Sequence, residues 1–292
     1  MPGVAIVTDS TSYLPRPIVG HYAIHEVSLY VTVNGVQHRE TELSSYDDFY
    51  RELADMRELP TTSQPSIGDF LAVWEPLLAG GQDIVSVHLA GGISGTVEAA
   101  RQAREVLREQ GLSDRIEVID GETCCGGLGC IVLAGARAAI DGGDLAAVAA
   151  SVRDARQTLE IWFAIDTLEY LRRGGRIGSA QAWLGGALKI KPILSLEREI
   201  TPVERVRTAG RAFERLVEYQ RQRERDGADG WVVQHSQSPE RAERLIESGR
   251  EIYGTEPIFV SEVGPVIGTY TGPGLLGVGG VPRALVPPLP LG

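Results

Sequence analysis

Short apolar runs that break off in small polar residues alternate along this chain with stretches of helical periodicity. That alternation limits what the chain can fold into more than any other feature. Residues 4–7 run into Thr8-Asp9-Ser10, residues 84–89 stop at a loop containing Gly91, and residues 116–119 stop at Asp120. Between them, Ile67, Phe70, Leu71, Trp74 and Leu78 mark one helix face, and Val97, Ala100, Ala103 and Leu107 mark another. Ser66 and Asp69, three residues apart at the start of the first helix, have the spacing of a capping box. Strand and helix in turn predict an α/β fold, with a mostly parallel sheet and helices on both of its faces.

The pattern resumes after a helical stretch at 144–159. Residues 162–165, 189–196, 200–207, 231–235 and 258–263 read as strands. Ala209, Ala212, Phe213 and Leu216 mark a helix, and a further one starts at Ser238-Pro239, with proline in the first helical position. A chain of 292 residues with 43% hydrophobic content is long enough for two cores. The expected division is an N-terminal α/β domain at 1–159 and a C-terminal α/β domain at 160–282, followed by a Pro-rich, extended tail at 283–292. The Gly-rich residues 264–280 read as a loop that folds over something.

The net charge of −11 is spread along the chain, which argues against nucleic acid or anionic lipid surfaces as partners. No apolar stretch is long enough to cross a bilayer and no signal peptide is visible, so neither membrane insertion nor export is expected. Three cysteines, Cys124, Cys125 and Cys130, form an odd set that fits a reducing cytoplasm better than a disulfide framework. No metal-ligand spacing is present, and neither a metal nor a cofactor is expected.

Three motifs invite other readings. Gly272-Pro273-Gly274-Leu275-Leu276-Gly277 matches a dinucleotide fingerprint, but no βαβ unit follows it. Gly92-Ile93-Ser94-Gly95-Thr96 lacks the spacing of a nucleophile elbow. Thr8-Asp9-Ser10-Thr11 is like the first loop of an aspartate-nucleophile phosphatase, except that Thr11 stands where the second Asp belongs. A phosphatase or hydrolase using Asp9 or Ser94 is therefore the weaker reading.

Two uncharged, hydroxyl-rich loops carry more. Thr61-Thr62-Ser63-Gln64-Pro65-Ser66 and Gly91-Gly92-Ile93-Ser94-Gly95-Thr96 each precede an amphipathic helix. Helix starts present unpaired N–H groups and partial positive charge, so loops of this kind suit a small anionic headgroup held by neutral donors.

With Val7-Thr8-Asp9-Ser10-Thr11-Ser12, Leu168-Glu169-Tyr170-Leu171-Arg172-Arg173-Gly174-Gly175-Arg176-Ile177, Lys189-Ile190-Lys191-Pro192-Ile193-Leu194 and Ile267-Gly268-Thr269-Tyr270-Thr271-Gly272-Pro273-Gly274, these loops stand in an order that resembles the DegV family. The resemblance implies two α/β domains with an apolar tunnel between them for a long-chain fatty acid. It also implies a non-catalytic role: the protein presents the fatty acid's carboxylate to a separate fatty acid kinase subunit, which makes an acyl phosphate. A carrier of another apolar acid, with no kinase partner, is the remaining alternative.

By the same resemblance, Thr62, Ser63 and Ser94 supply carboxylate-binding hydroxyls. Gly95 allows close approach to the backbone, and Thr269 and Tyr270 close the site. Arg173 and Arg176 belong at its mouth or at the partner interface. Two departures stand out. Tyr270 replaces the usual histidine, keeping a hydroxyl donor but no imidazole. Asp120-Gly121-Glu122-Thr123-Cys124-Cys125 lacks the serines often found there, and its cysteines are expected to pack rather than react.

Overall fold

The computed structural model describes residues 3–43, 45–56, 58–184 and 190–288. Its first sheet is wholly parallel, in the order His25–Val27, Val4–Asp9, Asp83–His88, Ile116–Asp120. Side chains alternate along each strand, so Ala5 and Val7 point one way and Ile6 the other. The first set packs with Phe70, Trp74, Ala100 and Leu107 from the helices Ile67–Ala79 and Thr96–Arg108. Ile6, Val85 and Val87 pack on the opposite face, against the helices Cys125–Ile140 and Leu145–Thr158. The predicted capping box is present: Asp69 N–H donates to Ser66 Oγ at 3.1 Å, and Ser66 N–H to Asp69 Oδ2 at 2.8 Å.

The second sheet, unlike the first, is mostly antiparallel. Its order is Ile200–Val206, Lys191–Leu196, Glu160–Ala164, Leu276–Val281, Gly230–His235, Val260–Glu262, and only the last pair is parallel. The Leu276–Val281 strand, which reads as loop because glycines blank out its periodicity, sits in the middle of this sheet. Within the same Gly-rich segment, Pro265–Thr271 is a helix. The helices Ala209–Arg225 and Pro239–Tyr253 cover the outer face.

Cys125–Ile140 lies between the two sheets, and sequence reading missed it. Its glycines lower helix propensity, yet the packing requires them. A Cβ on Gly129 would stand 2.6 Å from Phe259 Cζ and 3.0 Å from Leu14 Cδ2. Tertiary crowding overrides local preference here.

A third, three-stranded antiparallel sheet joins Val36–Arg39, Tyr30–Val33 and Thr61–Ser63. The first hydroxyl loop is thus half strand, which fixes the direction of its side chains. The expected tail is also partly built in. Arg283–Leu285 forms a 3₁₀ turn, Val286 is buried, and the Tyr22 hydroxyl donates to the Pro288 carbonyl. Residues 289–292 of that tail, and Lys189 of the quoted motif, lie outside the described residues. No helix among the described residues is long and apolar enough to cross a membrane.

Candidate functional site

The strand Thr61–Ser63 ends beside the helix Pro265–Thr271, and the two hold a short hydrogen bond between Thr62 Oγ1 and the Tyr270 hydroxyl, 2.6 Å. The Arg176 guanidinium lies over the Tyr270 ring, 4.9 Å from its centroid. Its Nη1 donates to the Gly174 carbonyl at 2.9 Å and its Nε to the Ile93 carbonyl at 3.5 Å. Arg176 therefore ties the segment after Glu169–Arg173 to the second hydroxyl loop. Gly174 makes this possible, because a Cβ there would stand 2.3 Å from Tyr270 Cδ1.

In the second loop, Ser94 Oγ is 2.8 Å from Thr96 Oγ1 and accepts from the Thr96 N–H at 3.3 Å. Ser94 thus serves the start of the helix Thr96–Arg108 while remaining half-buried at a cavity edge. Gly95 also lies against the other loop. Its α-carbon is covered by the Gln64 side chain, whose Oε1 would lie 2.2 Å from an added Cβ. Glycine here admits a residue of the other loop, so the two loops pack closely against each other.

Thr62, Ser63, Gln64, Ser94, Gly95, Arg176 and Tyr270 line one end of an internal cavity of about 270 Å³. The rest of its wall is mainly apolar: Leu29, Leu89, Phe163, Leu196, Ile267 and Leu275 are among its residues. They come from the loops after His25–Val27 and Asp83–His88 of the first sheet, from strands of the second sheet, from the helix Pro265–Thr271 and from the turn that follows it, segments far apart in sequence. Its size lies near the lower end of small-molecule sites, about 300–1,000 Å³. An apolar pocket with polar donors gathered at one end matches an amphiphile with a small polar head.

Two predicted residues do not line the cavity itself. Arg173 lines an adjoining surface depression with Glu58, Leu59 and Pro60, which shares Thr62, Arg176 and Tyr270 with the cavity mouth. Thr269 lines that depression too, but it is buried and its hydroxyl donates to the Pro265 carbonyl at 2.8 Å, inside its own helix. Its hydroxyl is already committed to the backbone.

Asp9 is equally committed. Oδ1 accepts from the Thr11 N–H at 3.0 Å and from Thr11 Oγ1 at 2.6 Å. Oδ2 accepts from the Leu89 N–H at 2.9 Å and lies 3.2 Å from His88 Nδ1, while His88 Nε2 is 2.7 Å from Ser86 Oγ. All these groups are fully buried, and Asp9 does not line the cavity. This carboxylate stitches the loop after Val4–Asp9 to the end of Asp83–His88.

Glu40 is a second buried carboxylate, which no sequence pattern marked. It accepts from Ser10 Oγ at 2.6 Å, the Tyr13 hydroxyl at 2.9 Å and the Val266 N–H at 2.8 Å, so it anchors the helix that carries Tyr270. Burial raises its pKa to about 7, against the pull of those three hydrogen bonds. Cys124 and Cys125 line the cavity with their sulfurs 3.5 Å apart. Burial pushes the Cys125 thiol well above its ordinary value and Cys130 up to about 12, which disfavours the reactive thiolate. Gly272 and Gly274, from the dinucleotide-like motif, turn the chain between helix and strand at φ of 71° and 90°. Among the described residues, no group of three or more His, Cys, Asp or Glu side chains could hold a metal ion.

The model of a family described as "Uncharacterised protein, DegV family" matches residues 3–283. A DegV domain-containing protein of Streptomyces coelicolor is 41% identical over 284 residues, covering 94% of this chain and 97% of that protein. The crystal structure of DegV from Bacillus subtilis, described as a fatty acid binding protein, superimposes with a TM-score of 0.85 at 33% identity, covering 97% of this chain and 100% of that one. A structure described as fatty acid binding of a DegV family protein from Thermus thermophilus gives a TM-score of 0.85 at 31% identity, covering 96% and 99%.

Proposed function

The chain belongs to the DegV family, and on that premise we propose that it binds a long-chain fatty acid and presents the carboxylate to a partner kinase subunit for acyl-phosphate formation. The acyl chain occupies the apolar cavity. The carboxylate lies among Thr62, Ser63, Ser94 and Tyr270, with Arg176 at the mouth and Arg173 in the adjoining depression, where the partner approaches. In this reading the protein is a non-catalytic, cytoplasmic carrier, and the cavity lies between an N-terminal unit at 1–159 and a C-terminal unit at 160–282.

One observation carries the reading: hydroxyls from two separate loops, a tyrosine and an arginine converge at one end of a cavity whose remaining wall is mainly apolar. The relatives described as fatty acid binding supply the ligand class. Burial of a C16 chain, at about 0.8 kcal/mol per CH₂, contributes on the order of 10 kcal/mol. The headgroup contacts then mainly orient the acid, as presentation to a second protein demands.

Native mass spectrometry of protein purified without detergent tests the binding. The expected spectrum holds one fatty acid per chain; protein that arrives empty and takes up no C14–C18 acid refutes the reading. Thr62→Ala and Ser94→Ala should each weaken carboxylate binding. Acyl-phosphate formation in the presence of a fatty acid kinase subunit tests presentation, and no product from loaded protein would remove the partner.

A further inference from the structure

The mainly apolar wall of the cavity includes a primary amide that the headgroup cluster does not use. Gln234 lies on the strand Gly230–His235, is 3% exposed, and lines the cavity with Phe163, Leu196 and Leu275. The Gly126 N–H donates to its Oε1 at 3.0 Å. That bond settles which end of the amide is oxygen, since an N–H has no acceptor in an NH₂ group. The Nε2 group makes no hydrogen bond among the described residues. Its polar neighbours on the wall are otherwise engaged: the Cys124 and Cys125 sulfurs face each other at 3.5 Å, and the Thr271 hydroxyl donates to the Ile267 carbonyl at 3.2 Å.

Gln234 Nε2 is not among the fully enclosed side-chain atoms that lack a partner, so it keeps surface open to the cavity. A donor that a ligand covers without offering an acceptor is costly, and a saturated hydrocarbon chain offers none. Resting on the fatty-acid reading above, we propose that the acid this cavity is built for carries an oxygen on its chain, as a hydroxy or oxo fatty acid, accepting a hydrogen bond from Gln234 Nε2. Sites that hydrogen-bond a substrate oxygen reject the analogue lacking it, because the site's own polar group is then left unpaired.

The test is displacement of a fluorescent fatty acid from the delipidated full-length protein. The competitors are stearic acid, oleic acid, the 9-, 10- and 12-hydroxystearic acids and 10-oxostearic acid, on the wild type and on Gln234→Met, which keeps the side-chain length and removes the N–H donors. At least one oxygenated acid should bind the wild type about fivefold or more tighter than stearic acid, and Gln234→Met should abolish that preference. Stearic or oleic acid binding as tightly as every oxygenated acid overturns the proposal while leaving the fatty-acid reading intact. A preference that survives Gln234→Met also overturns it. If no C18 acid binds at all, both fall. The wild-type ranking decides the matter even if the variant folds poorly.

Discussion

Tyr270→Phe isolates the hydroxyl at the centre of the proposed headgroup site. The substitution keeps the ring, and with it the Arg176 guanidinium 4.9 Å from the centroid, a contact of about 0.5–1 kcal/mol. It removes only the oxygen that lies 2.6 Å from Thr62 Oγ1. Thr62 is half-buried, so water can replace the lost partner and stability should change by under about 1 kcal/mol. A hydrogen bond to a charged carboxylate is worth about 1.5–3 kcal/mol, or about 10- to 150-fold in affinity. A C16 acid would bury that loss under its chain energy. A C10 acid, with eight CH₂ groups contributing about 6 kcal/mol, leaves it measurable. Calorimetric titration should show decanoate weakened at least tenfold by Tyr270→Phe, and 1-decanol within twofold of wild type. Decanoate affinity within twofold, in a variant that melts with the wild type, would refute the assignment and leave the hydroxyl as a partner of Thr62 alone.

Gly174→Ala places a methyl group 2.3 Å from Tyr270 Cδ1, so the ring must move off Arg176; decanoate and decanol should both weaken, with about 1–3 kcal/mol lost in urea unfolding. Asp9→Asn disrupts a buried network that includes Thr11, His88 and Leu89, and should cost about 2–4 kcal/mol in the same assay while leaving ligand affinity of the folded protein unchanged. Glu40 predicts a pH dependence: its carboxyl is raised from 4.5 to about 7, so the folded state holds a proton that the unfolded chain releases. Its contribution to stability therefore falls as pH rises from about 4.5 through about 7, by a few kcal/mol in all. Unfolding curves at pH 5 and pH 8 should show Glu40→Gln gaining on wild type across that interval, and parallel pH profiles would contradict the assignment.

Much of the framework is legible in the sequence because it follows from local chemistry. Short apolar runs that break off in small polar residues made the parallel strands visible, and Ser66 with Asp69 announced a helix start that the structure reproduces. The hydroxyl loops were visible by composition. Thr62, Ser94, Arg176 and Tyr270 were singled out along with Thr269, but nothing local distinguishes a tyrosine that faces a cavity from a threonine whose hydroxyl returns to its own helix. Glu40 and Gln234 carried no signal, since a lone polar residue inside an apolar environment looks like any surface residue in sequence.

What the sequence determined by itself is the family, the alternation of strand and helix, and the residue types able to hold a small anion without a counter-charge. The tertiary structure decided the rest. It set the antiparallel pairing of the second sheet, because register and direction depend on which strands meet. It packed the Gly-rich segment 125–140 as a helix between the two sheets, where Phe259 and Leu14 leave no room for a side chain at Gly129. It also built the cavity, whose wall gathers residues from Leu29 to Leu275. An empty space is a property of what surrounds it, and no single stretch of chain encodes one.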